Sequence, residues 1–166
     1  MNQLNTSIKI DEVKYQKDSL NYSSFGYLEI KYFGNEISNK NEISMIVDIT
    51  KELEAFNINL NVDFSYEREC SKCLSKENII DNVKFNKSFS VSCDNDYDIN
   101  FNNESIDVLP IISEIIISKM DFKNICKKDC KGLCNICGKD QNNYICSHKE
   151  KNIKESPFSS LSELDL

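Results

Sequence analysis

Apolar and polar residues alternate without a break from Ile58 to Tyr66. Ile58, Leu60, Val62, Phe64 and Tyr66 fall on one side, and Asn59, Asn61, Asp63 and Ser65 on the other. A period of two describes a strand with one buried and one wet face. Similar patterns occur at Ile8 and Ile10, over residues 27–33 up to Gly34-Asn35, over 43–49, and over 83–91. The first hundred residues therefore predict an antiparallel sheet with one polar face. Between the strands at 58–66 and 83–91 lies Cys70-Ser71-Lys72-Cys73, which predicts a hairpin whose tip carries two thiols.

The period changes once. From Asp107 to Met120, Leu109, Ile112, Ile115, Ile116 and Met120 recur at helical spacing, and Ile111 and Ile117 widen the stripe. Asp107 can cap this helix, and Pro110 sits in its first turn, where a missing amide costs little. Its apolar face is expected to pack on the sheet. Between the last strand and the helix, Asp94-Asn95-Asp96-Tyr97-Asp98 opens like a calcium loop. However, Ile99 stands where the turn glycine is needed, and Ser105 stands where the bidentate glutamate belongs. A solvated acidic loop is expected there instead.

With 166 residues, 40 % of them apolar, the chain suits one domain with a small appendage. The expected organisation is a sheet-plus-helix domain over 1–125, a cysteine-rich zinc module over 126–150 and a flexible tail over 151–166, in the α+β class. The net charge of −7 is unevenly spread. Residues 1–120 carry 12 basic and 20 acidic groups, whereas 121–155 carry 8 basic and 5 acidic ones. That balance excludes broad electrostatic attraction to nucleic acid, so any RNA contact would be local. Met1 to Asp11 is polar, and no apolar run is long enough to span a membrane, so the expected compartment is the cytoplasm. In that reducing setting, cysteines read as metal ligands rather than disulfides.

Seven of the eight cysteines and the single histidine fall at metal-ligand spacings. Cys134-x-x-Cys137-Gly138 followed by Cys146-x-His148 makes a compact loop with four donors. The remaining donors, Cys70, Cys73, Cys126 and Cys130, would clip the hairpin tip to the segment beyond the helix. Cys130 and Cys134 lie one turn apart and could exchange roles. Two closed tetrahedral Zn2+ sites are the leading expectation, and an iron–sulfur cluster is the alternative metal. Cys93 has no partner at ligand spacing and reads as a small residue at a strand end.

Closed sites leave no position for a reacting water, and with His148 used as a ligand no histidine remains as a general base. Only four glycines occur, and none forms a phosphate loop. Neither CxxC pair has the strand-to-helix setting of a thioredoxin motif. The expectation is a protein that binds and does no chemistry, with no membrane and no small-molecule substrate.

With these residues in view, the chain resembles the YceD family of large ribosomal RNA subunit accumulation proteins. The resemblance rests on Cys70-Ser71-Lys72-Cys73-Leu74 after a strand, on the Leu109-Pro110 helix, and on Cys130-Lys131-Gly132-Leu133-Cys134-Asn135-Ile136-Cys137-Gly138. It covers roughly residues 20 to 150, and its N-terminal strands are unspecific. Lys72 stands where the family usually has arginine, Asn135 where it often has proline, and His148 where many members have a cysteine. The resemblance implies a non-enzymatic factor in accumulation or processing of large-subunit ribosomal RNA. Its partner would be that RNA, a pre-large-subunit particle, or a ribosomal or assembly protein. Lys127, Lys128, Lys131 and Lys139 surround the ligands and are the candidate phosphate contacts. The rival readings are a zinc-stabilised adaptor unrelated to ribosomes and a thiol redox sensor.

Overall fold

The alternating segments form strands in the order β1 (Ser7–Lys9), α1 (Asp11–Tyr15), β2 (Ser19–Tyr27), β3 (Ile30–Tyr32), β4 (Asn35–Ile37), β5 (Glu42–Glu52), β6 (Ala55–Glu69), β7 (Lys76–Ser90), β8 (Ser105–Asp107) and α2 (Leu109–Lys119). This computed structural model describes residues 2–15, 19–90, 95–97, 99, 101 and 103–148. The expectations for Cys93 and for the tail over 151–166 lie outside the described residues.

β6 organises the main sheet. Along one side it pairs with β7 over its whole length, from Ala55↔Ser90 to Glu69↔Lys76. Along the other side it pairs first with β5, as far as Ser44↔Asp63, and then with β4 at Asn35↔Arg68 and Glu36↔Glu67. β2 closes the far edge of β5, and β3 pairs with β4. All of these pairings are antiparallel. β5 therefore stops short, and the end of the β6–β7 hairpin is flanked by the small β3–β4 hairpin instead.

The period-two pattern decides which face is buried. Ile43, Met45, Val47 and Ile49 from β5, and Phe56, Ile58, Leu60, Val62, Phe64 and Tyr66 from β6, line a single core. The opposite face presents amides and carboxylates, with Asn82 bonded to Asn61 and Asp63 across the strands. Ile111, Ile112, Ile115 and Ile116 close the core from α2, joined by Met120 just past its end and by Leu4, Ile8, Ile10, Val13, Ile106 and Val108. The Leu109 N–H donates to Asp107 Oδ1 at 3.0 Å, but the N-cap position is Val108, which offers no side-chain cap, so Asp107 shapes the turn into the helix rather than capping it. Replacing fully buried Ile116 with alanine removes methyl groups that nothing can refill. The expected cost is about 2–5 kcal/mol, read as a lower midpoint in urea unfolding.

Two further expectations need correction, and one strand was not expected. The run over 27–33 is not one strand: Tyr27 ends β2, and β3 begins only at Ile30. β2 shows no clear apolar alternation, because its Ser-, Asn- and Tyr-rich sequence is half exposed at a sheet edge. The acidic loop is not wholly solvated, since Ile99 and Phe101 are buried and Phe101 stacks on Phe56 with ring centres 4.5 Å apart. The Asn95 side chain shapes that segment, accepting from the Tyr97 and Ile99 amides and donating to the Ile99 carbonyl.

Candidate metal centre

The β6–β7 hairpin ends in a tight knuckle. The Leu74 N–H donates to the Cys70 carbonyl at 2.9 Å, and the Cys70 N–H to the Ser75 carbonyl at 2.9 Å. The second CxxC folds alike, with the Gly138 N–H on the Cys134 carbonyl at 2.8 Å. In each knuckle the residue after the second cysteine is left-handed, Leu74 at φ 59° and Gly138 at φ 69°. Such turns aim amide N–H groups at the first sulfur, as where Ile136 donates to Cys134 Sγ at 3.4 Å.

Beyond α2, residues 121–148 form no helix or long strand. Asn124 anchors this segment, its side chain donating to the Phe33 carbonyl at 3.0 Å and its own carbonyl accepting from the Ser71 amide at 2.9 Å. Cys126 and Cys130 are thereby set against Cys70 and Cys73. The Cys73 and Cys126 sulfurs stand 3.6 Å apart, and those of Cys70 and Cys130 stand 3.9 Å apart. All four sulfurs lie within 4.8 Å of one another. Sulfurs each about 2.3 Å from one tetrahedral ion would be separated by about 3.8 Å, so this donor set fits a single closed ion.

Cys134, Cys137, Cys146 and His148 form the second group, again with ligand atoms within 4.8 Å of one another and with Cys137 Sγ 3.6 Å from Cys146 Sγ. The structure thus brings all eight sequence-derived donors into two quartets and keeps Cys130 and Cys134 apart. The quartets differ in setting. Cys70, Cys73 and Cys130 are buried, whereas Cys137 and His148 are exposed.

The thiols are strongly coupled. Burial pushes the Cys70 thiol up, but amides of Cys126, Cys73 and Lys72 outweigh it and bring it down to about 6. Burial and the neighbouring sulfurs push Cys126 up to about 12. In the outer group, amides of Cys137 and Ile136 lower Cys134 to about 7, while Cys137 and burial raise Cys146 to about 11. Packed thiols without a cation thus hold on to part of their protons, and a metal ion would displace them.

Residues that spacing did not reveal link the two groups. Asn142 donates from Nδ2 to Cys130 Sγ at 3.5 Å and accepts from the Lys131 amide at 3.0 Å. The Leu133 N–H donates to the Lys72 carbonyl at 3.0 Å, which ties the outer loop to the hairpin knuckle. Gly132, at φ 76°, permits this approach, because a Cβ there would lie 3.1 Å from that carbonyl. Asn124 and Asn142 carried no sequence signal in a chain so rich in asparagine. The candidate phosphate contacts Lys127, Lys128, Lys131 and Lys139 are exposed. Lys139 lies over the Tyr144 ring, 5.8 Å from its centre.

The family model for the large ribosomal RNA subunit accumulation protein YceD matches residues 58–165. That span takes in most of β6, all of β7 and α2, and every donor of both quartets. The chain belongs to the YceD family. Membership suggests a role in large-subunit ribosomal RNA accumulation, and the two quartets are compatible with metal binding. No curated protein and no solved structure matches the chain. Among the described residues, no helix is long and apolar enough to cross a membrane.

This chain ends its outer quartet with His148. His148→Cys is expected to keep the outer ion, since thiolate and imidazole are both competent donors, whereas His148→Ala is expected to weaken it. Metal content by native mass spectrometry checks both substitutions.

Proposed function

We propose that this YceD-family chain supports large-subunit ribosomal RNA accumulation by binding RNA in the cytoplasm, with two structural zinc ions and no chemistry of its own. The observation that carries this reading is the grouping of all eight donors into two complete quartets. A complete quartet leaves no open coordination position, so the ions would build a surface rather than activate water. The histidine donor and the sulfur spacing favour one zinc in each quartet over a multi-iron cluster, which needs its ligating sulfurs farther apart.

The lysines point to the partner. Among the described residues, Lys31, Lys76, Lys87 and Arg68 are matched by carboxylates. Lys127, Lys128, Lys131 and Lys139 form no ion pair among the described residues, which leaves their charge available to phosphates. On a chain with net charge −7, this cluster of cations favours an RNA contact at the metal-bearing end. Co-sedimentation tests the reading. The chain should travel with pre-large-subunit particles and be released when their RNA is digested. Retention after digestion would point to a protein partner, and failure to co-sediment would contradict the proposal.

A further inference from the structure

The β3–β4 turn breaks local rules. It is a two-residue hairpin turn in which Phe33 has φ 43° and Gly34 has φ 79°. Turns of this kind require positive φ at both central residues, a place for asparagine or glycine and a strained one for a large side chain. The strain gains no burial, because Phe33 is 58 % exposed. Its ring instead meets Phe122, with centres 4.5 Å apart and planes tilted by 53°. Phe122 is itself 70 % exposed, so the pair leaves most of both residues in water.

The turn is also held from below at some cost. Asn35 donates to the carbonyls of Tyr32 and Asp121, and Asn124 donates to that of Phe33. Both amides are almost wholly buried, and neither Oδ1 has a protein partner. Positive φ at a bulky residue, two unpartnered amide oxygens and two solvent-facing rings coincide at one place. Leu53 in the β5–β6 turn also has positive φ and is exposed, but among the described residues only the β3–β4 turn combines that conformation with unpartnered buried oxygens and paired rings, a concentration that points to function.

The surroundings indicate what would cover the rings. Asn124 connects this turn directly to the Cys70–Cys73 knuckle through the Ser71 amide. Of the nearby carboxylates, Glu36 is matched by Lys31 and Glu67 by Lys76, Glu77 and Asp121 share Arg68, and Glu69, whose amide bonds the Gly34 carbonyl, has no ion pair among the described residues. Lys123, next to Phe122, and Lys72, next to Ser71, have no carboxylate partner among the described residues. Exposed aromatic faces, with unpaired lysines on the segments that carry Phe122 and bond Asn124, suit unpaired bases with flanking phosphates, since every base offers a π-face.

We propose that Phe33 and Phe122 form a stacking platform for an unpaired base of large-subunit ribosomal RNA, with Lys72 and Lys123 meeting the adjoining phosphates. This rests on the RNA-binding reading above and adds where and how the strand is held. The probes are fluorescent single-stranded oligonucleotides tiled across the host's large-subunit ribosomal RNA, titrated with the full metal-loaded chain. Phe33→Gly relieves the turn and so should fold at least as well as the wild type, and Phe122→Ala changes an exposed position. Each should weaken binding by roughly tenfold at unchanged metal content and unchanged salt dependence. Phe122→Tyr should bind like the wild type. The double variant Lys72→Ala/Lys123→Ala should instead flatten the dependence of affinity on salt. If the wild type binds and both phenylalanine variants bind equally well, the platform is wrong while the RNA-binding reading stands. Should those variants keep RNA affinity but fall away from pre-large-subunit particles, the surface docks a protein, which also overturns the platform. If the wild type binds none of the oligonucleotides, both readings fall.

Discussion

Removing the metal with a strong chelator should melt residues 121–148 while leaving the six-stranded sheet folded. The main core draws its buried residues from the strands, the helices, the N-terminal segment and the loop residues Ile99 and Phe101, and among the described residues includes none beyond Met120. Within 121–148 the only buried side chains are those of Asn124, Cys130 and Cys134, so this segment has no apolar core of its own. The small cluster that joins it to the hairpin consists of Cys70, Cys73 and Cys130, packed by Ile125 and Cys126. Without an ion, that cluster is a set of crowded thiols. Structural zinc contributes about 10–16 kcal/mol in apparent terms, comparable with the stability of an entire domain. Hydrogen exchange should therefore show amide protection lost across 121–148 and kept in β5, β6 and β7. Protection lost uniformly, or not at all, would contradict this division.

Single ligand substitutions should separate the two quartets. Cys70→Ser removes a buried donor that receives the Cys126 amide at 3.4 Å and lies opposite Cys130. It should release the inner ion and detach the whole segment from the hairpin, because donors of that quartet come from both sides of the junction. Cys137→Ser removes an exposed donor, and all members of its quartet lie within the outer loop. It should release only the outer ion and loosen residues 134–148, leaving Cys126 and Cys130 in place. Native mass spectrometry should find one zinc retained in each variant. Limited proteolysis should cut near residue 121 in Cys70→Ser alone. Equal cleavage in both variants would show that the inner quartet is not the clip.

What the sequence made legible follows from how strongly each feature is constrained. Donor spacing is rigid, since four ligands must reach one point, and the quartets are found where CxxC, Cys126/Cys130 and Cys146-x-His148 lead. Alternation was equally clear in β5, β6 and β7, where each strand has one wet face and one core face. β2 was hidden because the inward positions of this edge strand, such as Leu20, Tyr22 and Ser24, are only partly buried and need not all be apolar. Tertiary packing, which no local pattern records, drew Ile99 and Phe101 into the core from an otherwise polar loop. The Phe33–Phe122 pair brings together residues 89 positions apart through a hairpin turn and a buried asparagine. Neither phenylalanine belongs to a recognisable motif, so only the fold reveals the pair.

The most direct test of the account is the ratio of large- to small-subunit ribosomal RNA when this chain is depleted from its own host. The account predicts a selective fall in the large-subunit species, reversed by the wild-type chain but not by Cys70→Ser. An unchanged ratio with depletion verified, or full rescue by Cys70→Ser after its inner ion is shown to be lost, would contradict it.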